Sequence, residues 1–433
     1  MKFCSRKLKY CCSLKGRIGW QNLRSDEFTA EGPFLITGMH FADGRVDWDR
    51  CFHVSPERYA VDSNIHVRSG DLLITKDGSV GKLAHIDSLP GPACLNSHLL
   101  IIRPKCGYPS TRFLFYLLQT ERFERYILEE QSGTTFQGLS QASVANFEAA
   151  LPKSFEDQLS IAKFLDSATS AIDTLIEKKQ RLIDLLDERR AELISRAVMQ
   201  GLDPDTPMKD SGIQWLRRPV PAHWELRRVK DCCIAVVDCK NRTPPSVEGG
   251  EFLVVRTPNV RGGQLDLGAA ITTDKASYIE WTKRGAPKLG DIFFTREAPA
   301  GEACLVPDNR NLCMGQRMMY FRPNPEIMLP GFLLATIYGR LVRTYIERSC
   351  NGTTVGHLKL GQVASLPVLW CPISEQAAIL RFIESQSQRI DKAAALARRG
   401  CDLLRQYRCA LITAAVTGQL DIREHEKKME ALA

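Results

Sequence analysis

The middle of the chain carries apolar residues in alternating steps of three and four, the spacing of one helix face. This pattern predicts a single helix over residues 156–199, and Ser154 with Asp157 suits its capped first turn. A second helix with the same pattern begins near Ser374. The apolar positions are Leu165, Ala168, Ile172, Leu175, Leu182, Leu186 and Leu193 in the first helix, and Ile383, Ile390, Ala393, Ala397, Leu404, Tyr407 and Leu411 in the second.

A three-four spacing held over four heptads is typical of a coiled-coil seam, so the leucines and isoleucines of both series are predicted to pair the helices. Two such helices on one chain most simply pack against each other, and we expect the antiparallel direction. The alternative is that each helix packs on its own globular part. Thirty-five helical residues would span about 50 Å, which exceeds one turn of B-DNA, roughly 34–36 Å.

The rest of the chain is predicted to be mixed α and β, so the fold class is α+β. Short apolar runs bounded by glycine-containing turns predict strands, and each half also carries one amphipathic helix, at about 111–130 and about 330–348. The predicted strands cover residues 34–37, 72–75, 99–103, 252–256, 292–295 and 318–321.

An internal repeat with an offset of about 219 residues spans nearly the whole chain. It indicates a globular part of about 150 residues and a helix of about 45, used twice. Two copies suggest two similar ligands or two halves of one ligand, and the alternative is a duplicated scaffold with one active copy. Matching segments include Gly70-Asp71 with Gly290-Asp291, Ser132-Gly133-Thr134-Thr135 with Asn351-Gly352-Thr353-Thr354, and Ile172-Asp173 with Ile390-Asp391.

The basic charge lies mainly in the two globular parts. The chain has a formal net charge of +8, of which residues 1–152 carry +2 and residues 222–370 carry +5. Such a distribution fits a nucleic-acid partner, although many basic proteins bind none. The 15 cysteines contain no C-x-x-C pair, which favours reduced, buried thiols over a metal site. The apolar runs are too short for a membrane span, and we expect a cytoplasmic protein.

Candidate DNA contacts lie in polar or glycine-rich loops. Base edges are read by Arg, Lys, Asn, Gln, Ser and Thr, and phosphates are bound by Arg, Lys and backbone amides. For each single side chain, a solvated surface charge is the alternative. The candidates are Lys15, Arg17, Lys76, Thr134, Thr135 and Gln137 in the first copy, and Lys240, Arg242, Arg296, Thr353, Thr354 and His357 in the second.

Catalytic signatures are missing from the sequence. The segment 78–82 departs from a phosphate-binding loop, and neither G-x-S-x-G nor H-E-x-x-H occurs. The eight histidines do not cluster as metal ligands. These observations favour a binding module without a cofactor, and the alternative is an enzyme with an unrecognised site.

Two motifs in combination resemble the specificity subunits of type I restriction-modification enzymes. The first is Phe155-Glu156-Asp157-Gln158, followed by Ile172-Asp173 and Gly201-Leu202-Asp203-Pro204, which is similar to the central conserved region of that family. The second is Met208-Lys209-Asp210-Ser211-Gly212-Ile213, followed by Pro221-Ala222-His223-Trp224, which is similar to the family's entry into a target-recognition domain. The resemblance covers essentially the whole chain.

The resemblance implies a non-catalytic subunit that binds double-stranded DNA. Each target-recognition domain would read half of a bipartite site, and the paired helices would set the gap and dock two modification (methyltransferase) subunits. Restriction (translocase/endonuclease) subunits would join the complex. The alternative is an adaptor or relic that binds modification subunits only. The expected domains are 1–152 and 222–370 for target recognition, 153–202 and 371–422 for the helices, 203–221 for a linker and 423–433 for a charged tail.

Two departures from the family pattern carry expectations of their own. The first copy begins near the residue that matches Leu226, so its lead-in is expected to be shortened. The second helix contains Gly400 and several alanines, so weaker helix pairing is expected there.

Overall fold

The computed structural model describes residues 2–16, 27–132, 138–216, 218–268, 270–308, 310–350 and 356–422. The chain divides into two compact units, and the division falls within both long helices. Unit 1 is drawn from residues 1–179 and 399–433, and unit 2 from residues 180–398. Each unit therefore contains one globular part and one portion of each long helix.

Unit 1 contains eleven strands and five short helices among its described residues. They are β1 (Phe3–Lys7), α1 (Leu8–Cys11), β2 (Cys12–Lys15), β3 (Phe28–Ile36), β4 (Phe41–Ala42), β5 (Arg45–Val46), β6 (Phe52–Val54), α2 (Pro56–Ala60), β7 (Leu72–Thr75), β8 (Leu83–His85), β9 (Ala93–Leu95), β10 (Leu99–Pro104), α3 (Thr111–Leu117), α4 (Glu121–Ser132), α5 (Gln141–Asn146) and β11 (Glu148–Pro152). The first long helix, α6 (Phe155–Gln200), begins three residues after β11.

A four-stranded antiparallel sheet with the order β2-β10-β7-β8 forms the centre of unit 1. Successive side chains of a strand point to opposite faces, so each face of this sheet has its own core. Leu72 and Ile74 join the core that includes α3, α4 and the long helices, whereas Leu73 faces a three-stranded sheet with the order β6-β3-β9. The apolar runs 72–74 and 99–102 are thus parts of strands buried on both sides.

Unit 2 repeats this plan. Its elements are β12 (Met208–Lys209), β13 (Val220–Pro221), β14 (Glu225–Arg228), α7 (Val229–Cys232), β15 (Cys233–Asp238), β16 (Phe252–Val255), β17 (Val260–Arg261), β18 (Gln264–Leu265), β19 (Ile271–Thr273), α8 (Lys275–Trp281), β20 (Ile292–Thr295), β21 (Ala303–Leu305), β22 (Leu312–Met314), β23 (Met318–Pro323), α9 (Pro330–Tyr338), α10 (Arg340–Cys350), α11 (Leu360–Ala364), β24 (Pro367–Trp370) and the second long helix, α12 (Ile373–Val416).

The central sheet of unit 2 has the order β15-β23-β20-β21, which matches the central sheet of unit 1 strand for strand. An ion pair between an arginine and a buried aspartate recurs in the central sheet of each unit. In unit 1 the guanidinium of Arg103 lies 2.6 Å from Asp71, and in unit 2 that of Arg322 lies 2.7 Å from Asp291. Both aspartates also accept a backbone amide from the preceding turn, so the Gly-Asp motif of the repeat holds the turn that enters the strand.

One glutamine fixes the start of each long helix. In unit 2, Gln376 is fully buried, donates to the carbonyl oxygens of Ile327 and Cys371, and accepts from the amide of Leu329. In unit 1, Gln158 makes two of the equivalent hydrogen bonds, because its side chain accepts from the amide of Ser110 and donates to the carbonyl of Pro152. The predicted serine cap of α6 is also present, because the amide of Asp157 lies 3.3 Å from the Ser154 hydroxyl.

The long helices pack antiparallel in each unit, as predicted. In unit 1 the Arg408 guanidinium lies 3.0 Å from Asp173, and in unit 2 that of Arg190 lies 3.1 Å from Asp391. The two arginines are equivalent in the repeat, and so are the two aspartates. The same ion pair therefore occurs in both units. In unit 1 the second long helix supplies the arginine, and in unit 2 the first long helix supplies it.

Two predicted pairing positions are wrong. Leu175 and Leu182 are 48% and 47% exposed, whereas the residue after Leu182, Ile183, is 4% exposed. Ile176 likewise packs against the core of unit 1. An apolar pair stands at each of these sites, so the sequence allows a step of three or of four from Ile172, and the packing takes the step of four. Of the remaining predicted positions, Leu165, Ile172, Ile383 and Leu411 are buried, and Leu186, Leu193, Ile390 and Leu404 are half-buried.

The amphipathic helix predicted in each globular part is broken into two. The break between α9 and α10 falls at Gly339, where an added Cβ would lie 2.8 Å from Val198 of α6. Glycine therefore permits a close approach that a longer side chain would prevent. In unit 1 the break between α3 and α4 contains Thr120, whose hydroxyl donates to the carbonyl of Leu117.

Candidate nucleic-acid interface

The candidate site of unit 1 lies at one edge of its central sheet, where β2 and β7 end and β10 begins. The antiparallel register places Thr75 opposite Leu99 and Lys15 opposite Ile101. Lys15 therefore ends its strand close to the residue that follows β7, which is Lys76. The ammonium group of Lys15 donates to the Asn64 side chain at 2.9 Å.

Lys76 is held by backbone hydrogen bonds on both sides. Its amide donates to the carbonyl of His98 at 2.9 Å, and its carbonyl accepts from the amide of Leu139 at 2.7 Å. The next residue, Asp77, contacts the His98 ring at 3.0 Å. Three segments of the chain thus converge at this edge, and two of them present polar or charged side chains.

The same edge in unit 2 has the same backbone arrangement. The amide of Arg296 donates to the carbonyl of Arg317 at 2.9 Å, and its carbonyl accepts from the amide of Leu358 at 3.0 Å. Arg296, Arg317 and Leu358 occupy the places of Lys76, His98 and Leu139. The repeat therefore conserves the backbone of the edge while the side chains differ.

Arg296 forms an ion pair with Asp238, which the sequence did not predict. Its side chain is 11% exposed and lies 3.3 Å from the carboxylate of Asp238, which ends β15. The ion pair ties the ends of β15 and β20 together. Arg296 thus contributes positive charge to the edge from a largely buried position.

An aromatic platform carries two of the candidate cations. Lys240 and Arg242 lie over the ring of Trp281, at 4.8 and 5.3 Å from its centroid, and the indole N–H donates to the carbonyl of Arg242 at 2.9 Å. Lys240 also contacts Glu280, which contacts Lys283. The hydrogen bonds from Lys240 and Lys283 lower the pKa of Glu280 to about 2, so this carboxylate is ionised at neutral pH.

A second charged group surrounds Glu297, the residue after Arg296. One oxygen of its carboxylate lies 3.0 Å from the guanidinium of Arg317, and the other lies 2.5 Å from the ring of His357. The backbones of Glu297 and His357 also form a bridge. The predicted contact residue His357 therefore lies at this edge, next to an arginine that the sequence analysis did not select.

Among the described residues, the edge of unit 2 carries more basic side chains than the edge of unit 1. Its described charged residues are Lys240, Arg242, Lys283, Arg284, Arg296 and Arg317, with Asp238, Glu280 and Glu297 as the acidic ones. In unit 1 the corresponding set is Lys15 and Lys76, with Asp77 and His98. A surface of this charge favours a polyanion such as the phosphate backbone of DNA.

Six of the predicted contact residues lie outside the described residues: Arg17, Thr134, Thr135, Gln137, Thr353 and Thr354. The described candidates are Lys15, Lys76, Lys240, Arg242, Arg296 and His357, and those of each copy gather at the sheet edge of their own unit. The pairs Asp77 with His98 and Glu297 with Arg317 were missed. The repeat could have selected these residues as candidates, because each position is charged or titratable in both copies, but the pairing itself required the fold.

Metal and membrane features are absent from the part of the chain that the structure describes. Within those ranges no group of three or more His, Cys, Asp or Glu side chains could hold a metal ion. None of the helices described above is both long enough and apolar enough to cross a bilayer.

Comparison with known proteins shows what this chain is similar to. Residues 54–184 match the family model of the type I restriction modification DNA specificity domain. The chain is similar to type I restriction-enzyme specificity subunits. It is 21% identical over 324 residues to the EcoBI specificity subunit of Escherichia coli, which is 72% of this chain and 66% of that protein. It is 28% identical over 165 residues to the MjaIX specificity subunit of Methanocaldococcus jannaschii, which is 37% of this chain and 35% of that protein.

Solved structures of specificity subunits share the fold. A chain from a structure titled for the complex assembly and conformational transition of the type I R-M system superposes with a TM-score of 0.72, at 14% identity, over 96% of this chain and 98% of that one. The HsdS subunit from Thermoanaerobacter tengcongensis gives a TM-score of 0.52, at 14% identity, over 96% and 97%. The predicted resemblance to specificity subunits and the predicted α+β architecture are confirmed.

Proposed function

We propose that this chain is the DNA-recognition subunit of a type I restriction-modification complex, with each globular part reading one half of a bipartite site. The observation that carries the proposal is the duplication of one basic sheet edge. The match to the DNA specificity domain covers residues 54–184 only, but unit 2 repeats its strand order, its buried Arg–Asp pair and its edge. Two like modules on one chain suit two half-sites.

The chemistry of the two edges supports DNA as the ligand. Arginine and lysine side chains over an aromatic ring, next to backbone turns, offer contacts to phosphates and to base edges. No catalytic role is assigned to any residue of this chain. We infer that methylation and cleavage belong to partner subunits, namely two modification subunits and the restriction subunits, and that no cofactor is held here.

The long helices are proposed to set the distance between the half-sites and to dock the modification subunits. In each unit these helices expose large apolar residues that the core of the unit does not cover. These are Leu175, Leu182, Leu185, Leu396, Leu403 and Tyr407. Exposed apolar residues on paired helices are suited to binding a protein partner.

Mapping modified adenine across the host genome, with and without the gene, tests the proposal. Modification at one bipartite motif should be present in the parent and lost in the deletion strain, and should return with the full chain. Modification that persists at every site after deletion contradicts the proposal. Methylation of DNA by the purified chain alone would show a catalytic site and contradict the non-catalytic assignment.

A further inference from the structure

We propose that the turn between β22 and β23, residues 315–317, is a specificity-determining element and that Arg317 reads a guanine in the major groove. The inference rests on the proposed function, because it assigns one base contact within the half-site that unit 2 is proposed to read. The assignment depends on the backbone and the surroundings of Arg317, and on the repeat-equivalent turn of unit 1.

The backbone of Arg317 is in the left-handed region, with φ of 70°. Residues with a Cβ rarely adopt this conformation, and glycine adopts it without strain. A turn at this place could therefore use glycine at no conformational cost. The presence of arginine indicates that the side chain itself is needed, as at other strained positions that serve a function.

The surroundings hold the Arg317 guanidinium at the edge while leaving it accessible. The side chain is 47% exposed, and its one ion-pair partner named above, Glu297, is 20% exposed. Glu297 is in turn fixed by His357. A carboxylate on one side of the guanidinium orients its planar fork, and the opposite donors are free to meet a bidentate acceptor. Guanine O6 and N7 form that acceptor pair.

The turn is also attached rigidly to its unit. The amide of Gly315 donates to the carbonyl of Val255 at 2.8 Å, and the amide of Gln316 donates to the hydroxyl of Thr243 at 3.2 Å. Thr243 follows Arg242, so the turn is bound to the loop whose cations lie over the ring of Trp281. Two neighbouring loops of the edge therefore form one surface.

Unit 1 has a turn with the same backbone hydrogen bonds and different side chains, but the left-handed φ of Arg317 has no counterpart at His98. Residues Asn96, Ser97 and His98 take the places of Gly315, Gln316 and Arg317, and the amide of Asn96 donates to the carbonyl of Ile36 at 3.0 Å. The scaffold beneath, with its buried Arg–Asp pair, is unchanged. Different side chains on turns that share their hydrogen bonds are what two half-sites of different sequence require.

Binding selection from a library of random duplexes, with the purified full chain, tests the proposal. The variant is Arg317→Gly, which removes the side chain and relieves the left-handed strain, so its melting temperature should not fall. The matched control is Arg310→Ala, which removes an exposed arginine paired with Asp308 in the loop after β21. That loop follows Leu305, which pairs with Ile292 at the opposite end of β20.

The expected result is that Arg317→Gly loses the preference for guanine at one position of one half-site. Affinity for the parental sequence should fall roughly 5- to 150-fold, the range for one bidentate base contact. The other half-site should keep its sequence, and Arg310→Ala should select the parental motif. An unchanged motif in Arg317→Gly, or an equal loss of affinity for all sequences, overturns the inference.

A gain-of-function variant tests the same assignment in unit 1. Ser97→Gln with His98→Arg places the side chains of the unit 2 turn at the equivalent positions of the unit 1 turn. The double variant should acquire a guanine preference at one position of the other half-site, and a motif without that change counts against the inference. A parental chain that selects no bipartite motif would instead refute the proposed function, so the two failures are distinguishable.

Discussion

At the scale of single residues, the ion pair between arginine and buried aspartate in each unit is expected to stabilise the fold rather than to contact DNA. The Asp291 side chain is 3% exposed, so removal of its partner leaves a buried charge without compensation. Arg322→Ala should lower the free energy of unfolding by about 3 kcal/mol. Arg310→Ala, which breaks an exposed Arg–Asp pair, should cost less than about 1 kcal/mol. Urea unfolding of both variants measures the difference, and equal losses would contradict the structural role of Arg322.

The Arg242 side chain is expected to contribute to DNA binding rather than to the stability of the fold. It is exposed over Trp281, and its backbone carbonyl already satisfies the indole N–H, so the side chain can be removed without loss of that bond. Arg242→Ala should weaken binding to one half-site by about 1–3 kcal/mol if it meets a base edge. Fluorescence anisotropy with the cognate duplex measures the change. Unaltered binding would remove Arg242 from the contact surface.

At the scale of elements, strands buried on both faces and the long helices were predictable from the sequence. The runs 72–75 and 292–295 are strands with the predicted bounds, because their β-branched and aromatic residues are bounded by turn signals. The breaks at Thr120 and Gly339 were not predictable from periodicity. Gly339 is explained only by its approach to Val198, a contact between residues distant in the chain.

The register of the long helices is the element-scale feature that the sequence left open. Ile183→Ala removes a buried side chain and should cost about 2–4 kcal/mol of unfolding free energy. Leu182→Ala, one residue earlier on the exposed side, should cost under about 1 kcal/mol. Thermal or urea unfolding of the two variants compares them directly. A larger loss for Leu182→Ala would restore the register that the sequence suggested.

Gly400 shows how packing changes the interpretation of a helix residue. A Cβ at this position would lie 3.0 Å from the Lys179 ammonium in unit 1, so the glycine makes room for a long side chain on the opposite helix. The sequence suggested only a weak point in the helix, because glycine has poor helix propensity. The candidate site was likewise only partly predictable. The charged residues of the edge could be identified in the sequence, but the ion pair of Arg317 with Glu297 could be identified only in the structure.

At the scale of the whole molecule, helix length is proposed to determine the gap between half-sites. Insertion of one heptad after Gln180 and one after Arg398 would keep the antiparallel pairing and lengthen each helix by about 10 Å. The recognised gap should then grow by about three base pairs, at 3.4 Å per base pair. Binding selection with the lengthened chain measures it. An unchanged gap would contradict the role of the helices as a spacer.

The central claim is that both copies read DNA, rather than one active copy and one scaffold. Its most direct test is the affinity of the full chain for three duplexes: the cognate bipartite site, the site with the first half scrambled, and the site with the second half scrambled. The account predicts that each scrambled duplex binds at least about 100-fold more weakly than the cognate site, because specific complexes exceed non-specific ones by 10³ or more. Affinity that survives the scrambling of either half would contradict it.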